Sequence, residues 1–555
     1  MPDRDAAWAA IKFLRHGPSA YRCAVTMADL ERGAFSDEGP WVMPEDAMVW
    51  QRGIGELRLR VAAQVPELVR RRRVPPIQRA AITGWRLGGA LLGWKLIDQR
   101  RTPDTARAGL SRRLRVAFAK LGPTYIKLGQ ILSSGEGIFP EELVKEFRYL
   151  RDRVPAESFE AVRRVVEAEL GKPLEAVFDD FSIEPLAAAS IAQVHTATLK
   201  TGESVVVKVQ RPTVSELVQK DLAAMAWISP VLVGRIPISA LANPPALVDL
   251  FAETIVEELD FRLEAQNMLD VARVLVATGQ RSIVIPRPHP VLVTRRMLVM
   301  ERLDGFSFED VDGMKAAGVD TEAVVRAIMV SFLEGAILYG VFHGDLHGGN
   351  LFVRRDGRVA LLDFGITGRL DEKRRLAFLR LIVGATMNDL NGQLGALIDL
   401  GALPHGTDIP DLIKDLGLDG PPIDPLAITP EQLLEEMREV VKKLLGYGAR
   451  LPKELMLFIK DLLFLDAALA TLAPDVDIFG EIAHVAEHMA TRHGESIAAQ
   501  IGLEPGEFEI DLTGVKNSFG VGEGVQAITH RELQERRQIM QKRMEAHAKE
   551  TKRKK

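Results

Sequence analysis

The sequence predicts an α+β fold in which a small strand-rich lobe is followed by a predominantly helical lobe. The β-branched run SVVVKVQ at 204–210 follows the turn residues Lys200 to Glu203, which together predict a β-hairpin. A second strand pair is predicted in VLVTRRMLVMERL at 291–303. From about 306 to 500 the pattern is mostly helical and is interrupted by the short segments HGDLHGGNLFV and GRVALLDFG.

The helical spacing of apolar residues predicts a helical extension ahead of the strands, in 106–121 and again in 141–151. We therefore divide the chain of 555 residues into five parts. These are an N-terminal region (1–104), the helical extension (105–170), the strand-rich lobe with a helical insertion (171–305), the helical lobe (306–500) and a tail with a basic end (501–555).

Composition restricts the class of protein. With 47% hydrophobic and 26% charged residues the chain is globular. Its 71 basic and 76 acidic residues give a net charge of −5, which argues against nucleic acid as a partner. The single cysteine, Cys23, excludes an intramolecular disulfide and any multi-cysteine metal site.

No signal peptide and no apolar run of 18 residues is present, so we expect a cytoplasmic protein without a transmembrane span. The segment 82–101, ITGWRLGGALLGWKLIDQRR, follows four arginines and carries Trp85 and Trp94 near its ends. It is either an interfacial helix on an anionic membrane, which would make the protein peripheral, or a helix packed on the body of the protein. The basic segment 530–555 is either a solvated helix or a contact with an anionic surface.

Three elements suited to binding nucleotide phosphates occur in the order found in protein kinases. Lys208 ends the run VVVK, as in the V-A-I-K signature, where an ammonium neutralises phosphates; alone it could equally face solvent. Asp345 and Asn350 are separated by the same number of residues as the Asp and Asn of the kinase catalytic loop. Asp345 is therefore a candidate base, and Asn350 is a candidate magnesium ligand. Asp363 begins the sequence DFG and is a second candidate magnesium ligand. Their common order predicts a protein-kinase-like two-lobe fold.

Other residues qualify this interpretation. Ala187, Ala188 and Ala189, followed by Ser190, stand where kinases have a Gly-rich phosphate loop, and we assign them with Glu301 to nucleotide binding. No A-P-E follows DFG, and a helix is predicted from 371 onward, which leaves little room to dock a peptide. For the two histidines of the loop, at 343 and 347, we prefer structural roles to metal ligation.

Two further motifs resemble the UbiB/AarF family of atypical kinases, which is linked to ubiquinone biosynthesis. These are Lys127-Leu-Gly-Gln130, the family's K-x-G-Q, and Glu258-Leu-Asp260, its E-x-D. The resemblance covers about 105–480 and implies that Glu264 pairs with Lys208 and that Glu258 pairs with Lys127. From the residues alone, these glutamates could equally form a solvated helix face. It also implies that the extension occludes a protein-substrate site and that the alanine loop is normal for the family.

The sequence departs from that family at 135 and 137, where glycines replace an arginine and an aspartate. By resemblance we expect a kinase-like protein that binds ATP and Mg²⁺ and hydrolyses ATP. It would support quinone biosynthesis or lipid handling, with a quinone or isoprenoid-like lipid as partner. The alternative is a nucleotide-binding pseudokinase scaffold without turnover. A true protein kinase is a third reading.

Overall fold

The computed structural model describes residues 25–44, 48–71, 76–99, 103–133, 140–150, 155–232, 244–387, 389–418, 443–444, 446–449, 452–502, 527–533 and 535. Cys23, the glycines at 135 and 137 and most of the basic tail lie outside these residues. The chain divides into two compact units. The first comprises 1–304 with 360–367, and the second comprises 305–359 with 368–555.

The helices of the first unit are α1 (Met27–Gly33), α2 (Ile54–Leu68), α3 (Ile77–Gly93), α4 (Pro103–Leu121), α5 (Pro123–Ser133), α6 (Glu141–Arg148), α7 (Phe159–Leu170), α8 (Val214–Leu232), α9 (Pro244–Glu257) and α10 (Phe261–Thr278). Its strands are β1 (Phe178–Phe181), β2 (Ala187–Ala188), β3 (Ala192–Leu199), β4 (Ser204–Gln210), β5 (Ile283–Val284), β6 (Pro288–Val293) and β7 (Met297–Glu301).

An antiparallel sheet with the strand order β1-β3-β4-β7-β6 forms the core of the first unit, and β2 pairs with β3. Both faces of the central strand β4 are buried, because its residues from Val205 to Gln210 are all less than 10% exposed. One face packs on the valines of α7, with Val166 fully buried. The predicted hairpin is confirmed, and Gly202 in its turn has the positive φ of +100° that a side chain disfavours.

The second unit is mainly helical. Its helices are α11 (Val311–Ala316), α12 (Thr321–Glu334), α13 (Glu372–Thr386), α14 (Leu390–Asp399), α15 (Ile409–Leu416), α16 (Lys453–Leu472) and α17 (Ile478–Ile501). Its short strands are β8 (Phe306–Ser307), β9 (Val341–His343) and β10 (Leu351–Val353), while β11 (Val359–Leu361) and β12 (Thr367–Arg369) cross the unit boundaries. Phe458 of α16 contacts the rings of Phe332, Phe342 and Phe378, so α16 lies at the centre of this unit.

The predicted fold class is confirmed: the chain has an α+β, kinase-like fold with a helical extension before the strands. Asp371 caps α13 by accepting a hydrogen bond from the backbone N–H of Arg374, so the predicted helix begins a few residues after DFG, just beyond β12. Among the described residues, no helix combines the length and the apolar character that crossing a membrane requires.

Candidate nucleotide site

A buried ion-pair cluster in the first unit surrounds the strand lysine. Lys208 of β4 is 6% exposed, and its Nζ lies 2.7 Å from Oε1 of Glu264 and 3.0 Å from Oδ1 of Asp363. Glu264 stands in the first turn of α10, whose N-terminus is capped by the Asp260 carboxylate. The solvent-facing alternative for Lys208 is therefore wrong, and the pairing that the resemblance implied is present.

Burial and the opposite charge of the partner shift the pKa values of Lys208 and Glu264 in opposite directions. Burial of Glu264 raises its pKa to about 7, against the attraction of the Lys208 ammonium. For Lys208, burial opposes the charged form, but the carboxylates of Asp363 and Glu264 outweigh it and raise the pKa above its ordinary value. Lys208 therefore stays charged at neutral pH.

Asp363 combines an unusual backbone with an accessible side chain. Among the described residues it is the one non-glycine residue with positive φ, at +53°. The turn is held by a hydrogen bond from the backbone N–H of Gly365 to Oδ1 of Asp363 and by one from Nδ2 of Asn267 to the Phe364 carbonyl. The Asp363 side chain is 44% exposed, so its carboxylate can take a hard cation.

A second buried ion pair joins the extension to the strand-rich lobe. Nζ of Lys127 in α5 lies 2.9 Å from Oε1 of Glu258, with the side chains 14% and 6% exposed. Glu258 also lies beside the DFG turn, since a Cβ on Gly365 would be 3.4 Å from Cγ of Glu258. The solvated-face alternative is therefore wrong for Glu258 and for Glu264, which is 4% exposed.

The remaining members of the two motifs have structural contacts. A Cβ at position 129, in K-x-G-Q, would overlap with Cδ1 of Leu150, so glycine permits α5 to pack closely against the next helix of the extension. Gln130 is half-buried, and its carbonyl accepts a hydrogen bond from Ser133 Oγ. Asp260 pairs with Arg262 at 2.7 Å in addition to capping α10.

The alanine-rich segment forms a tight β-turn rather than an open loop. Ala187 pairs with Val194, and the backbone N–H of Ala189 donates to the Ala192 carbonyl at 2.8 Å, which brings Ser190 into the turn. Ala188 pairs opposite Gln193 in the same β2–β3 hairpin.

Arg211 fixes this turn and was not identified from the sequence. Its Nε donates to the Ala189 carbonyl at 3.0 Å, while its other nitrogens bind the carboxylate of Glu157 at 2.9 Å and the carbonyl of Pro155 at 2.8 Å. The guanidinium is buried, so the turn is connected to the segment of the extension that precedes α7 by charge-assisted hydrogen bonds. Only its position directly after β4 could have drawn attention to it.

Glu301, assigned above to nucleotide binding, is 5% exposed at the end of β7. Its carboxylate accepts hydrogen bonds from Ser36 Oγ and from the backbone N–H of Arg287, the latter at 3.2 Å. These contacts give its side chain a role in packing the first unit, and its contact with a nucleotide stays a prediction.

The second unit holds Asp345 in a network of its own. Nζ of Lys460 lies 2.5 Å from Oδ1 of Asp345 and donates to the Gly344 carbonyl at 2.9 Å. The backbone N–H of Asp345 donates to Nδ1 of His343 at 3.2 Å. Nδ2 of Asn350 donates to the Asp345 carbonyl at 3.0 Å, which leaves the amide oxygen as the atom able to bind a cation.

The two loop histidines form backbone contacts in this structure. His343 accepts the hydrogen bond just described, and Nδ1 of His347 accepts one from the backbone N–H of Gly349 at 3.1 Å. Among the described residues, neither belongs to a group of three side chains close enough to hold a metal ion.

Helix α16 supplies two residues to this loop that sequence reasoning missed. Lys460 supplies the cation beside Asp345, and Asp461, which is fully buried, accepts the backbone N–H of Leu346 at 3.0 Å through Oδ1. Burial raises the pKa of Asp461 well above its ordinary value. They lie 115 residues beyond their partners, and a Lys-Asp pair within a helix carries no signal of its own.

A kinase-like fold, a strand lysine paired with a helix glutamate and a loop aspartate followed by DFG define a protein of the kinase-like class. Residues 149–395 match the family model described as the ABC1 atypical kinase-like domain. The chain is 34% identical to a Mycobacterium tuberculosis protein, MT0675, over 78% of this chain and 90% of that protein.

Two further relatives carry names. The chain is 34% identical to the aarF domain-containing protein kinase At5g05200, chloroplastic, of Arabidopsis thaliana, over 66% of this chain and 72% of that protein. It is 30% identical to the probable protein kinase UbiB of Sodalis glossinidius, over 71% of this chain and 72% of that protein. The chain therefore belongs to the ABC1, or UbiB/AarF, family of atypical kinase-like proteins.

Proposed function

We propose that this protein binds Mg-ATP and hydrolyses it. The observation that carries the proposal is the buried pair of Lys208 and Glu264, 2.7 Å apart, with the accessible carboxylate of Asp363 at 3.0 Å. Burying an ammonium and its carboxylate partners costs desolvation free energy, and such clusters of perturbed charged groups are concentrated at functional sites. Phosphate binding is a function that suits the chemistry of this ammonium. Asp363 offers the oxygen ligand that Mg²⁺ prefers.

The remaining predicted residues keep their roles within this proposal. Asn350 is a magnesium ligand through its amide oxygen, and Asp345 positions or deprotonates the attacking water or hydroxyl. The alanine turn 187–189 with Ser190 covers the phosphates. Mg²⁺ supplies charge neutralisation of the phosphates when it is bound. The family membership supports a further proposal, that ATP turnover serves quinone biosynthesis or lipid handling, with a quinone or isoprenoid-like lipid as partner.

The test is ATP turnover and nucleotide-dependent thermal stabilisation of the purified full chain with Mg²⁺. We expect turnover in the wild type and its loss in Lys208→Ala and Asp363→Asn. Lys200→Ala is the matched control, because Lys200 is an exposed lysine at the turn before β4 that pairs with Asp179. Turnover retained in Asp363→Asn would overturn the proposal. Nucleotide-dependent stabilisation without turnover in the wild type would favour the pseudokinase scaffold.

We also propose a peripheral contact with an anionic membrane through α3 and the turn after it. Ile82, Trp85, Leu92 and Leu96 follow helical spacing and are 42%, 79%, 61% and 65% exposed. The exposed Arg86 and Lys95 flank this stripe with positive charge. An exposed apolar stripe bordered by cations matches the chemistry of an anionic bilayer surface.

The opposite face of α3 packs on the protein, which fixes the direction of the stripe. Arg79 pairs with the buried Asp221 of α8, and Thr83 hydrogen-bonds to Tyr125 at 3.0 Å. Trp94, expected with Trp85 at an interface, is half-buried and donates to the Ala106 carbonyl at 2.9 Å.

Sedimentation with vesicles tests the membrane contact. We expect binding to vesicles with anionic lipid and weaker binding to neutral ones, reduced at least about tenfold in the doubly substituted Trp85→Ser, Leu92→Ser chain, since each buried apolar side chain contributes about 1.5–3 kcal/mol. Val291→Ser is the control, since Val291 is 59% exposed on β6. Equal binding by the double variant and the wild type would exclude the stripe as the membrane contact.

A further inference from the structure

Three side chains of metal-binding type converge in the second unit, apart from every residue of the proposed nucleotide site. Oε1 of Glu334, the last residue of α12, lies 3.0 Å from Nε2 of His488 and 3.0 Å from Nε2 of His493, both on α17. The three ligand atoms lie within 4.8 Å of one another. In the described part of the chain this is the one such group of three.

Packing on both sides positions the two helices before any ion binds. About two turns before the cluster, Arg326 of α12 binds both carboxylate oxygens of Glu481 of α17, each at 2.6 Å. The α17 side chains of Met489 and Ile497 are buried against the π-helical turn that follows Glu334. The ligands are therefore presented by rigid elements, which is what a preformed metal site needs.

We propose that Glu334, His488 and His493 form a binding site for Zn²⁺ or a similar divalent transition-metal ion. Two imidazoles and one carboxylate are a known zinc ligand set, with a water in the fourth position. Bonds of about 2.0–2.1 Å in a tetrahedron put the ligand atoms roughly 3.3 Å apart, so the observed 3.0 Å separations need to widen only slightly.

Exposure supports an open site with a path for the ion. The Glu334 side chain is 2% exposed, while those of His488 and His493 are 30% and 16% exposed. A buried carboxylate beneath two partly exposed imidazoles lets an ion enter from solvent and keeps one coordination position for water. Imidazole is a poor ligand for Mg²⁺ and a good one for Zn²⁺, so this site differs in its chemistry from the proposed Mg-ATP site.

The position of the cluster gives the ion a structural effect. It would join the end of α12 to α17, and the chain passes from Glu334 through the π-helical turn to β9 and the Asp345 loop within eleven residues. An ion that binds the folded chain stabilises it in proportion to the logarithm of its concentration. We therefore expect Zn²⁺ to raise the thermal midpoint of the second unit.

The experiment is titration of the chelator-treated full chain with Zn²⁺ alone, with direct measurement of bound metal and a parallel titration with Co²⁺. We expect one equivalent of Zn²⁺, and a four-coordinate Co²⁺ visible spectrum. Glu334→Gln and His493→Leu should weaken binding more than about 100-fold, since even outer residues of metal sites contribute about 10–100-fold. The control is His484→Leu, an exposed histidine one turn from His488 on the same helix.

His493→Cys keeps the proposal testable if the leucine variant fails to fold, because cysteine replaces one zinc ligand by another. We expect it to bind Zn²⁺ and to shift the Co²⁺ spectrum by adding a thiolate band. Absence of bound Zn²⁺ in the wild type would overturn the proposal, since the three side chains would then form only a hydrogen-bonded cluster. Unchanged affinity in Glu334→Gln, or equal loss in His484→Leu, would also overturn it.

Discussion

Substituting Lys127 by methionine tests whether the extension is held to the strand-rich lobe by charge. The pair with Glu258 is 2.9 Å long, so its direct attraction is about 6 kcal/mol at an effective dielectric constant of about 20. Most of this offsets the desolvation of both groups. Removing one partner of a buried pair costs about 3–5 kcal/mol. Because Lys127 is 14% exposed, we expect Lys127→Met to lower the local stability of the extension by about 2–3 kcal/mol.

Hydrogen exchange of the backbone amides in α5 measures this loss, because it reports local opening without requiring that the whole chain unfold in one step. At about 1.4 kcal/mol for each factor of ten, exchange in Lys127→Met should be roughly 30- to 150-fold faster. Lys145→Met is the control, since Lys145 forms an exposed pair with Glu141 in α6 and exposed pairs contribute little.

The double variant Lys127→Met, Glu258→Gln separates charge from packing. If a buried unpaired carboxylate causes the loss, neutralising Glu258 should restore part of the protection, so the double variant exchanges more slowly than Lys127→Met alone. Additive effects of the two substitutions, or exchange in Lys127→Met as slow as in wild type, would refute the reasoning.

Three further outcomes follow from the contacts described above. Lys460→Ala should lower ATP turnover by about 10- to 100-fold with nucleotide binding retained, because Asp345 loses its positioning partner, whereas Lys453→Ala at the start of the same helix should not. Arg211→Ala should speed hydrogen exchange in the β2–β3 turn by more than about tenfold, since several charge-assisted hydrogen bonds are lost. The raised pKa of Asp461 favours folding at low pH, and this advantage is lost as the pH rises from about 4 through the higher pKa of the folded state. The urea midpoint of Asp461→Asn should therefore rise relative to that of the wild type as the pH is raised above about 4.

The fold class was predictable because it depends on local pattern, whereas the two ion pairs were implied only by the family resemblance. A β-branched run after a turn specifies a strand, and the kinase-like order places Lys208 on it. The resemblance, carried in part by the E-x-D motif, then implied that Glu264 pairs with that lysine, and Glu264 does so from the first turn of α10. The strand and the order of the motifs depend on residues close together in the chain, whereas the pairing rested on the resemblance.

The contacts of Lys460 and Arg211 were not predictable, because each depends on how elements far apart in sequence pack. The same limit applies to Trp94, whose environment depends on how closely the turn after α3 approaches α4. Burial, too, is a tertiary property. Glu258 lies in the turn between α9 and α10 and Asp461 lies in α16, and the sequence neighbours of these two acidic residues do not indicate that they are buried.

The conformation of the alanine turn is explained by its hydrogen bond with Arg211 more than by the absence of glycine. Arg211 binds the Ala189 carbonyl and also the Glu157 carboxylate, in the part of the extension that precedes α7. The segment that would cover phosphates is therefore fixed in the folded protein before a nucleotide binds. A glycine-rich loop is free to close over a nucleotide and loses conformational entropy when it does so. Here that entropy is already lost in the folded protein, which favours a phosphate-covering turn that has its shape before a nucleotide binds. A turn fixed in this way also has less freedom to move and make room for a second substrate. The ion pair of Lys127 with Glu258 and the hydrogen bonds of Arg211 to the turn therefore both favour a rigid candidate site in the first unit.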